Sequence, residues 1–129
     1  MKQFAWVALG GALGAMMRYA LSGWVQQALQ SAQRFPSGTF VVNVLGCFAV
    51  GCITALLWRH ASADPAWRLF LVTGVLGGFT TYSAFGLETV LLLKRGDVLM
   101  ALLYVVATLI CGVLAVVLGM AMMGGWSAR

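Results

Sequence analysis

Polar side chains lie inside the long apolar runs of this 129-residue sequence, and their types could do chemistry. They comprise one guanidinium, one amide, one carboxylate and several hydroxyls: Arg18, Asn43, Thr80, Tyr82, Ser83, Glu88, Tyr104 and Thr108. Polar groups are costly in an apolar medium unless something satisfies them, so such residues mark binding or transport. A cation pathway would need several carboxylates, and only Glu88 is present. The set therefore favours an anion that moves along hydrogen-bond donors.

The spacing of these residues supports the same interpretation. Tyr82 and Phe85 lie three residues apart, on one helical face, and the edges of aromatic rings are electropositive. Tyr104 and Thr108 lie four residues apart and also share a face. Arg18 would attract an anion at long range, or it would extend its charge to a membrane interface; both readings stand. Glu88 is either a hydrogen-bonded structural carboxylate or a pathway group.

Residues 77–83 (GGFTTYS) join two glycines to a run of hydroxylated residues, which is poor helix-forming sequence. The pattern predicts a third membrane helix that is broken at mid-membrane. A break exposes backbone carbonyls and amides, and discontinuous helices commonly bind ions for this reason. The alternative is a kink whose backbone groups are satisfied by serine and threonine hydroxyls.

The composition defines the class of protein. Hydrophobic residues make up 62% of the chain and charged residues only 9%, against ~25% charged in a typical soluble domain. A small soluble domain could not bury this much apolar surface. The eight Lys and Arg residues are scattered, so they form no basic stripe for nucleic acid. We expect an all-α integral membrane protein that is not an enzyme and does not bind nucleic acid.

Four apolar runs are long enough to cross a bilayer, which takes ~20 residues each. They cover residues 4–29, 38–58, 67–93 and 98–123, and together they predict a single four-helix transmembrane domain. The first run resembles a signal peptide only faintly, and the three later runs favour a retained helix. Small-xxx-small pairs, such as Gly10 with Gly14 and Gly74 with Gly78, predict close helix packing, within the subunit or between subunits.

The cysteines and the charges add two further expectations. Cys47, Cys52 and Cys111 lie in apolar runs without a CxxC pair, which predicts buried thiols that act as small hydrophobes. With both termini on one side, the two sides carry four and three cations: Lys2, Arg59, Arg68 and Arg129 against Arg34, Lys94 and Arg95. This small bias predicts either insertion in both orientations or one orientation set by weak signals. Four helices enclose a polar pathway poorly, so an oligomer is expected, and dual insertion would permit an antiparallel dimer.

Three segments resemble the bacterial fluoride ion channels of the Fluc or CrcB family. They are residues 11–19 (GALGAMMRY), residues 38–46 (GTFVVNVLG) and residues 73–85 (TGVLGGFTTYSAF), the last followed by Glu88. Three such segments in order, over nearly the whole chain, make the resemblance specific.

The resemblance implies a dual-topology antiparallel homodimer with two pores in the bacterial inner membrane, through which fluoride leaves the cytoplasm passively. The fluoride pathway that it implies is formed by Asn43, Tyr82, Phe85, Ser83, Tyr104 and Thr108. Arg18 would make the vestibule electropositive. The carbonyls of Gly77 and Thr80, from both subunits, would hold a structural sodium ion.

The chain departs from the family pattern at two positions. Tyr82 stands where the family usually has phenylalanine, so its phenol adds a hydrogen-bond donor. Gly112 stands where the family often has a second hydroxyl, one turn after Thr108, so the row of hydroxyls is shorter or completed by water.

Two other functions fit a small four-helix protein. A proton-coupled multidrug exporter would need an acidic residue, usually in the first span, whereas the only candidate here is Glu88 in the third. A non-transporting assembly subunit would use its glycines for packing alone.

Overall fold

A computed structural model of the chain describes residues 1–29, 35–59 and 65–124. The helices are α1 (Lys2–Leu29), α2 (Ser37–Arg59), α3 (Pro65–Arg68), a π-helical segment (Leu69–Leu76), α4 (Gly77–Phe79), α5 (Tyr82–Lys94) and α6 (Val98–Met122). No strand occurs within the described residues. The predicted all-α class is therefore confirmed.

Four helical spans are long and apolar enough to cross a membrane: Lys2–Leu29, Ser37–Arg59, Ala66–Lys94 and Val98–Met122. This number agrees with the four apolar runs of the sequence. The third span (Ala66–Lys94) is assembled from α3, the π-helical segment, α4 and α5. Large apolar side chains are exposed along all four spans, as expected where lipid or a partner subunit covers them. Arg34 and Arg129, which enter the predicted charge balance, lie outside the described residues.

The spans pack along two main seams, and small residues bring the backbones together. On the first seam α1 packs against the π-helical segment and α4, and a methyl group on Gly10 would lie 2.5 Å from the Phe70 carbonyl oxygen. A methyl group on Gly14 would overlap the Val75 carbonyl oxygen. On the second seam α2 packs against α6, where a methyl group on Gly51 would overlap the Val116 carbonyl oxygen. These glycines serve packing within the subunit.

A tight turn and a small apolar cluster hold α5 against α6. Gly96, in the turn between the two helices, has a φ of 80°, which glycine adopts without the steric cost of a side chain. Beyond the turn, the buried residues Phe85 and Leu92 of α5 meet Ala101 and Tyr104 of α6. Because Phe85 lies near the start of α5, this cluster fixes the beginning of that helix.

Candidate functional site

The third span loses its helical conformation at two residues between α4 and α5. Thr80 has φ −78° and ψ 155°, and Thr81 has φ −146° and ψ 112°, so both are extended. Both hydroxyls satisfy backbone groups beside the break. Thr80 Oγ1 donates to the Leu76 carbonyl over 3.0 Å, and Thr81 Oγ1 accepts from the Ala84 amide over 3.2 Å as the N-cap of α5.

Asn43 of α2 binds the peptide groups at this break. Its Nδ2 donates to the Thr81 carbonyl over 3.1 Å, and its Oδ1 accepts from the Thr81 amide over 2.8 Å. A side-chain amide is the natural partner for an extended residue because it supplies one donor and one acceptor side by side. It also has a second N–H, and among the described residues no acceptor receives it. Asn43 therefore holds the break and keeps one donor free.

A groove of about 370 Å³ lies beside the break, between α2, α5 and α6. Apolar side chains, among them Phe85, form most of its wall, and the other lining groups are polar or small: Asn43, Cys47, Thr80, Thr81, Tyr82, Thr108 and Gly112. The hydroxyl oxygen of Thr108 is buried and has no hydrogen-bond partner among the described residues. A buried hydroxyl without a partner costs stability, so a ligand that accepts its hydrogen bond would recover that cost.

Aromatic rings extend from this groove into the protein. The rings of Tyr82 and Phe85 have centroids 5.7 Å apart, and those of Phe85 and Tyr104 are 5.2 Å apart. Tyr82 is 84% exposed, Phe85 is 9% exposed and Tyr104 is fully buried. The three rings thus form a series from the exposed surface to the core, and the outer two line the groove.

Glu88 accepts two short hydrogen bonds from neighbouring helices. Thr39 Oγ1 of α2 donates to one carboxylate oxygen over 2.7 Å, and the Tyr104 hydroxyl of α6 donates to the other over 2.7 Å. The structure thus places the Tyr104 hydroxyl on Glu88, and neither residue lines the groove. This arrangement ties α2, α5 and α6 together through one carboxylate.

The remaining predicted site residues lie outside the groove lining. Ser83 is exposed, and its hydroxyl lies 3.3 Å from Thr81 Oγ1. Arg18 is half-buried on α1. The structure therefore brings together Asn43, Tyr82, Phe85 and Thr108, and it places Tyr104 behind them.

A comparison with known proteins identifies the family of this chain. The family model described as "CrcB-like protein, Camphor Resistance (CrcB)" matches residues 5–120. This chain belongs to the CrcB family. Three curated relatives are each named "Fluoride-specific ion channel FluC". The Acidobacterium capsulatum protein is 46% identical over 92% of this chain and 93% of its own length. The Rhizobium etli protein is 43% identical over 91% and 92%, and the Chloroflexus aurantiacus protein is 42% identical over 93% and 93%.

The family match covers every candidate residue of the CrcB chain, from Arg18 to Thr108. Sequence reasoning missed two of the residues that form the groove in this CrcB protein. Thr81 was grouped with its neighbours as a hydroxyl, although its main role is to offer its peptide groups to Asn43 and its hydroxyl to the start of α5. Cys47 is predicted to be a buried thiol that acts as a small hydrophobe; in the structure it is half-buried and lines the groove. Its spacing of four residues from Asn43 is the signal that could have found it.

The backbone at the break of this CrcB chain fits a hard cation. In a continuous α-helix the Gly77 carbonyl would accept from the Thr81 amide, and the Thr80 carbonyl from the Ala84 amide. Those two amides donate to Asn43 and to the Thr81 hydroxyl instead. Because carbonyl oxygens are typical ligands of hard cations, both carbonyls suit a sodium ion.

Proposed function

We propose that this chain is a fluoride-selective ion channel through which fluoride leaves the cytoplasm down its gradient. The observation that supports it best is a mainly apolar groove in which two side-chain donors, on Asn43 and Thr108, have no acceptor among the described residues. The second N–H of Asn43 and the Thr108 hydroxyl both have hydrogens to donate, and no carboxylate is among the described residues that line the groove. The names of the curated relatives support fluoride as the ion.

The groove suits a small anion for physical reasons. An ion that is strongly hydrated in water can enter only if the protein replaces its water with other donors, and it must be released again. Neutral donors meet both needs because they solvate the anion without a full opposite charge. The positive edges of the Tyr82 and Phe85 rings add weak attraction along the wall. Arg18 supplies a favourable field at a distance.

The functional unit of this proposal is an antiparallel homodimer in the bacterial inner membrane. The surface at the break supports a partner: Gly77, Tyr82 and Ser83 are all exposed in the single chain. Lipid cannot satisfy a phenol, a hydroxyl and free backbone carbonyls, whereas a second subunit can. The carbonyls of Gly77 and Thr80 from two subunits would hold sodium, and the ion would supply the positive charge that satisfies them.

A proton-coupled exporter is less well supported. Such a carrier needs a carboxylate that faces the substrate and exchanges protons. Glu88 does not line the groove, and both of its oxygens accept hydrogen bonds from Thr39 and Tyr104.

Fluoride efflux from proteoliposomes tests the channel. Purified protein is reconstituted in vesicles loaded with potassium fluoride, valinomycin is added, and external fluoride is followed with an ion-selective electrode. We expect rapid efflux without a proton gradient, and none from protein-free vesicles or from vesicles loaded with potassium chloride and followed with a chloride electrode. Folded protein without fluoride flux would refute the channel, and flux that requires both a proton gradient and Glu88 would favour the exporter.

Two measurements test the assembly. Membrane-impermeant labelling of single cysteines placed at each terminus should find both termini on both sides of the membrane, and one-sided labelling would refute dual insertion. Replacing sodium with N-methylglucamine should lower the thermal stability of the dimer. Unchanged stability in sodium-free buffer would argue against the proposed ion at Gly77 and Thr80.

A further inference from the structure

Two short rows of residues line the groove, one on α2 and one on α6. Asn43 and Cys47 lie one helical turn apart on α2, and Thr108 and Gly112 lie one turn apart on α6. Residues at this spacing share a helical face, and all four line the groove. The α2 row has a side chain at both levels. The α6 row has one only at Thr108, because Gly112 has none.

The thiol of Cys47 lies over this gap. A methyl group placed on Gly112 would lie 3.4 Å from Cys47 Sγ, which is van der Waals contact. The sulfur is therefore adjacent to the position that a side chain on α6 would take. At the level of Gly112, where α6 has no side chain, the thiol of Cys47 on α2 takes the place of an α6 side chain.

The thiol is also chemically available. Cys47 is a free, half-buried cysteine, and no hydrogen bond joins its thiol to another described residue. An S–H group is a weak donor. The walls beyond it are apolar, formed by Val50 of α2 and Val113 of α6. One helical turn after Asn43 and Thr108, towards Val113, the described lining residues offer one side-chain donor, the thiol of Cys47.

We infer that Cys47 contacts the permeating fluoride and donates its S–H where α6 has no hydroxyl. This inference rests on the proposed channel function and adds a residue to its pathway. It assigns the thiol a role beyond that of a small hydrophobe. It also assigns Gly112 a role, since a larger residue there would compete with the thiol for the same space.

Replacing the donor tests the inference. We expect Cys47→Ala to lower fluoride efflux about two- to tenfold, which corresponds to the loss of one hydrogen bond. Cys47→Ser should retain efflux at or above the wild-type rate because a hydroxyl is a stronger donor than a thiol. Cys111→Ala is the matched control: it removes a half-buried thiol next to Gly112 that does not line the groove, and efflux should not change.

A second substitution separates donation from packing. In the Cys47→Ala background, Gly112→Ser places a hydroxyl beside the vacated sulfur position and should restore efflux to within about twofold of wild type, since one hydrogen bond is regained. Gly112→Ala in the same background fills similar volume without a donor and should restore nothing. Size-exclusion chromatography of each variant checks that the assembly is intact.

A chemical test covers the case in which Cys47→Ala fails to assemble. In a chain with Cys52→Ala and Cys111→Ala, a small methanethiosulfonate reagent should block efflux by modifying Cys47.

The outcomes separate the two proposals. Wild-type protein without efflux would overturn the channel itself. Wild-type efflux that Cys47→Ala leaves unchanged, or that Gly112→Ala restores as well as Gly112→Ser does, would overturn the role of Cys47 alone. Efflux that survives complete modification of Cys47 would also overturn it.

Discussion

Asn43 binds both peptide groups of Thr81, at 2.8 Å from the amide and 3.1 Å from the carbonyl, and so fixes the one extended stretch of the third span. The same residue lines the groove, and its remaining N–H has no acceptor among the described residues. Structure and transport thus depend on one residue, which makes its replacement informative.

Replacing Asn43 with leucine should damage both stability and flux. Asn43→Leu keeps similar volume but leaves the Thr81 amide without its partner, at a cost of ~1–3 kcal/mol. It also removes one hydrogen bond to the Thr81 carbonyl, which as the N-cap of α5 still accepts from the first turn of that helix. We expect a lower melting temperature and at least a tenfold loss of fluoride efflux. Differential scanning fluorimetry and the proteoliposome assay measure the two effects. Wild-type efflux in this variant would show that Asn43 does not contact the ion.

Thr108 and Thr89 offer a matched pair of hydroxyls with opposite expected effects. The Thr108 hydroxyl is buried and has no partner within the described part of the chain, whereas Thr89 Oγ1 donates to the Phe85 carbonyl over 2.8 Å. Thr108→Val removes an unsatisfied group, so stability should be unchanged or higher while efflux falls several-fold. Thr89→Val should lower the free energy of unfolding by ~1 kcal/mol and leave efflux unchanged. Equal effects of the two variants on efflux would argue against Thr108 as a pathway residue.

The two donors to Glu88 should be energetically coupled. Thr39→Val and Tyr104→Phe each leave one carboxylate oxygen without its hydrogen bond of 2.7 Å. Each should destabilise the protein by ~1–3 kcal/mol. Because both donors bind one carboxylate, the double variant should depart from the sum by at least ~0.5 kcal/mol. Denaturation of the four proteins of the cycle in detergent measures this, and strict additivity would contradict a shared network.

Glycines of α1 differ in the space around them. A methyl group on Gly14 would overlap the Val75 carbonyl oxygen, whereas one on Gly23 would meet nothing within 4 Å. Gly14→Ala should therefore separate α1 from the third span and lower the melting temperature. Gly23→Ala should be neutral or stabilising, since alanine favours a helix over glycine by ~1 kcal/mol. Similar melting temperatures for both variants would contradict the close seam.

The sequence predicts some parts of this site and not others, for physical reasons. Four spans follow from apolar length, and the extended residues Thr80 and Thr81 lie within the segment 77–83 that two glycines and several hydroxyls mark as poor helix-forming sequence. The family resemblance implies a place for Tyr104 along the ion pathway, and its spacing from Thr108 puts both residues on one helical face. In the structure the ring packs on Phe85 and the hydroxyl binds Glu88.

The hydrogen-bond partners of Asn43 and Glu88 show why the spacing of residues along one helix could not predict these contacts. Thr81 lies 38 residues from Asn43, and Thr39 lies 49 residues from Glu88. Spacing along one helix reports which residues share a face, but it does not report which residue of another helix lies opposite. Cys47 over Gly112 is a contact of the same kind, between α2 and α6.

The bond between Asn43 and Thr81 also bears on the order of assembly. Asn43 precedes Thr81 by 38 residues, so a ribosome delivers α2 to the membrane before the extended residues of the third span leave the exit tunnel. We therefore expect the Asn43 side chain to reach the membrane before the Thr81 peptide groups that it binds. Tyr104 follows Glu88 by 16 residues, so the donor that ties α6 to this carboxylate is synthesised last. A chain truncated after α5 would keep the partners of the break but lack the α6 wall of the groove.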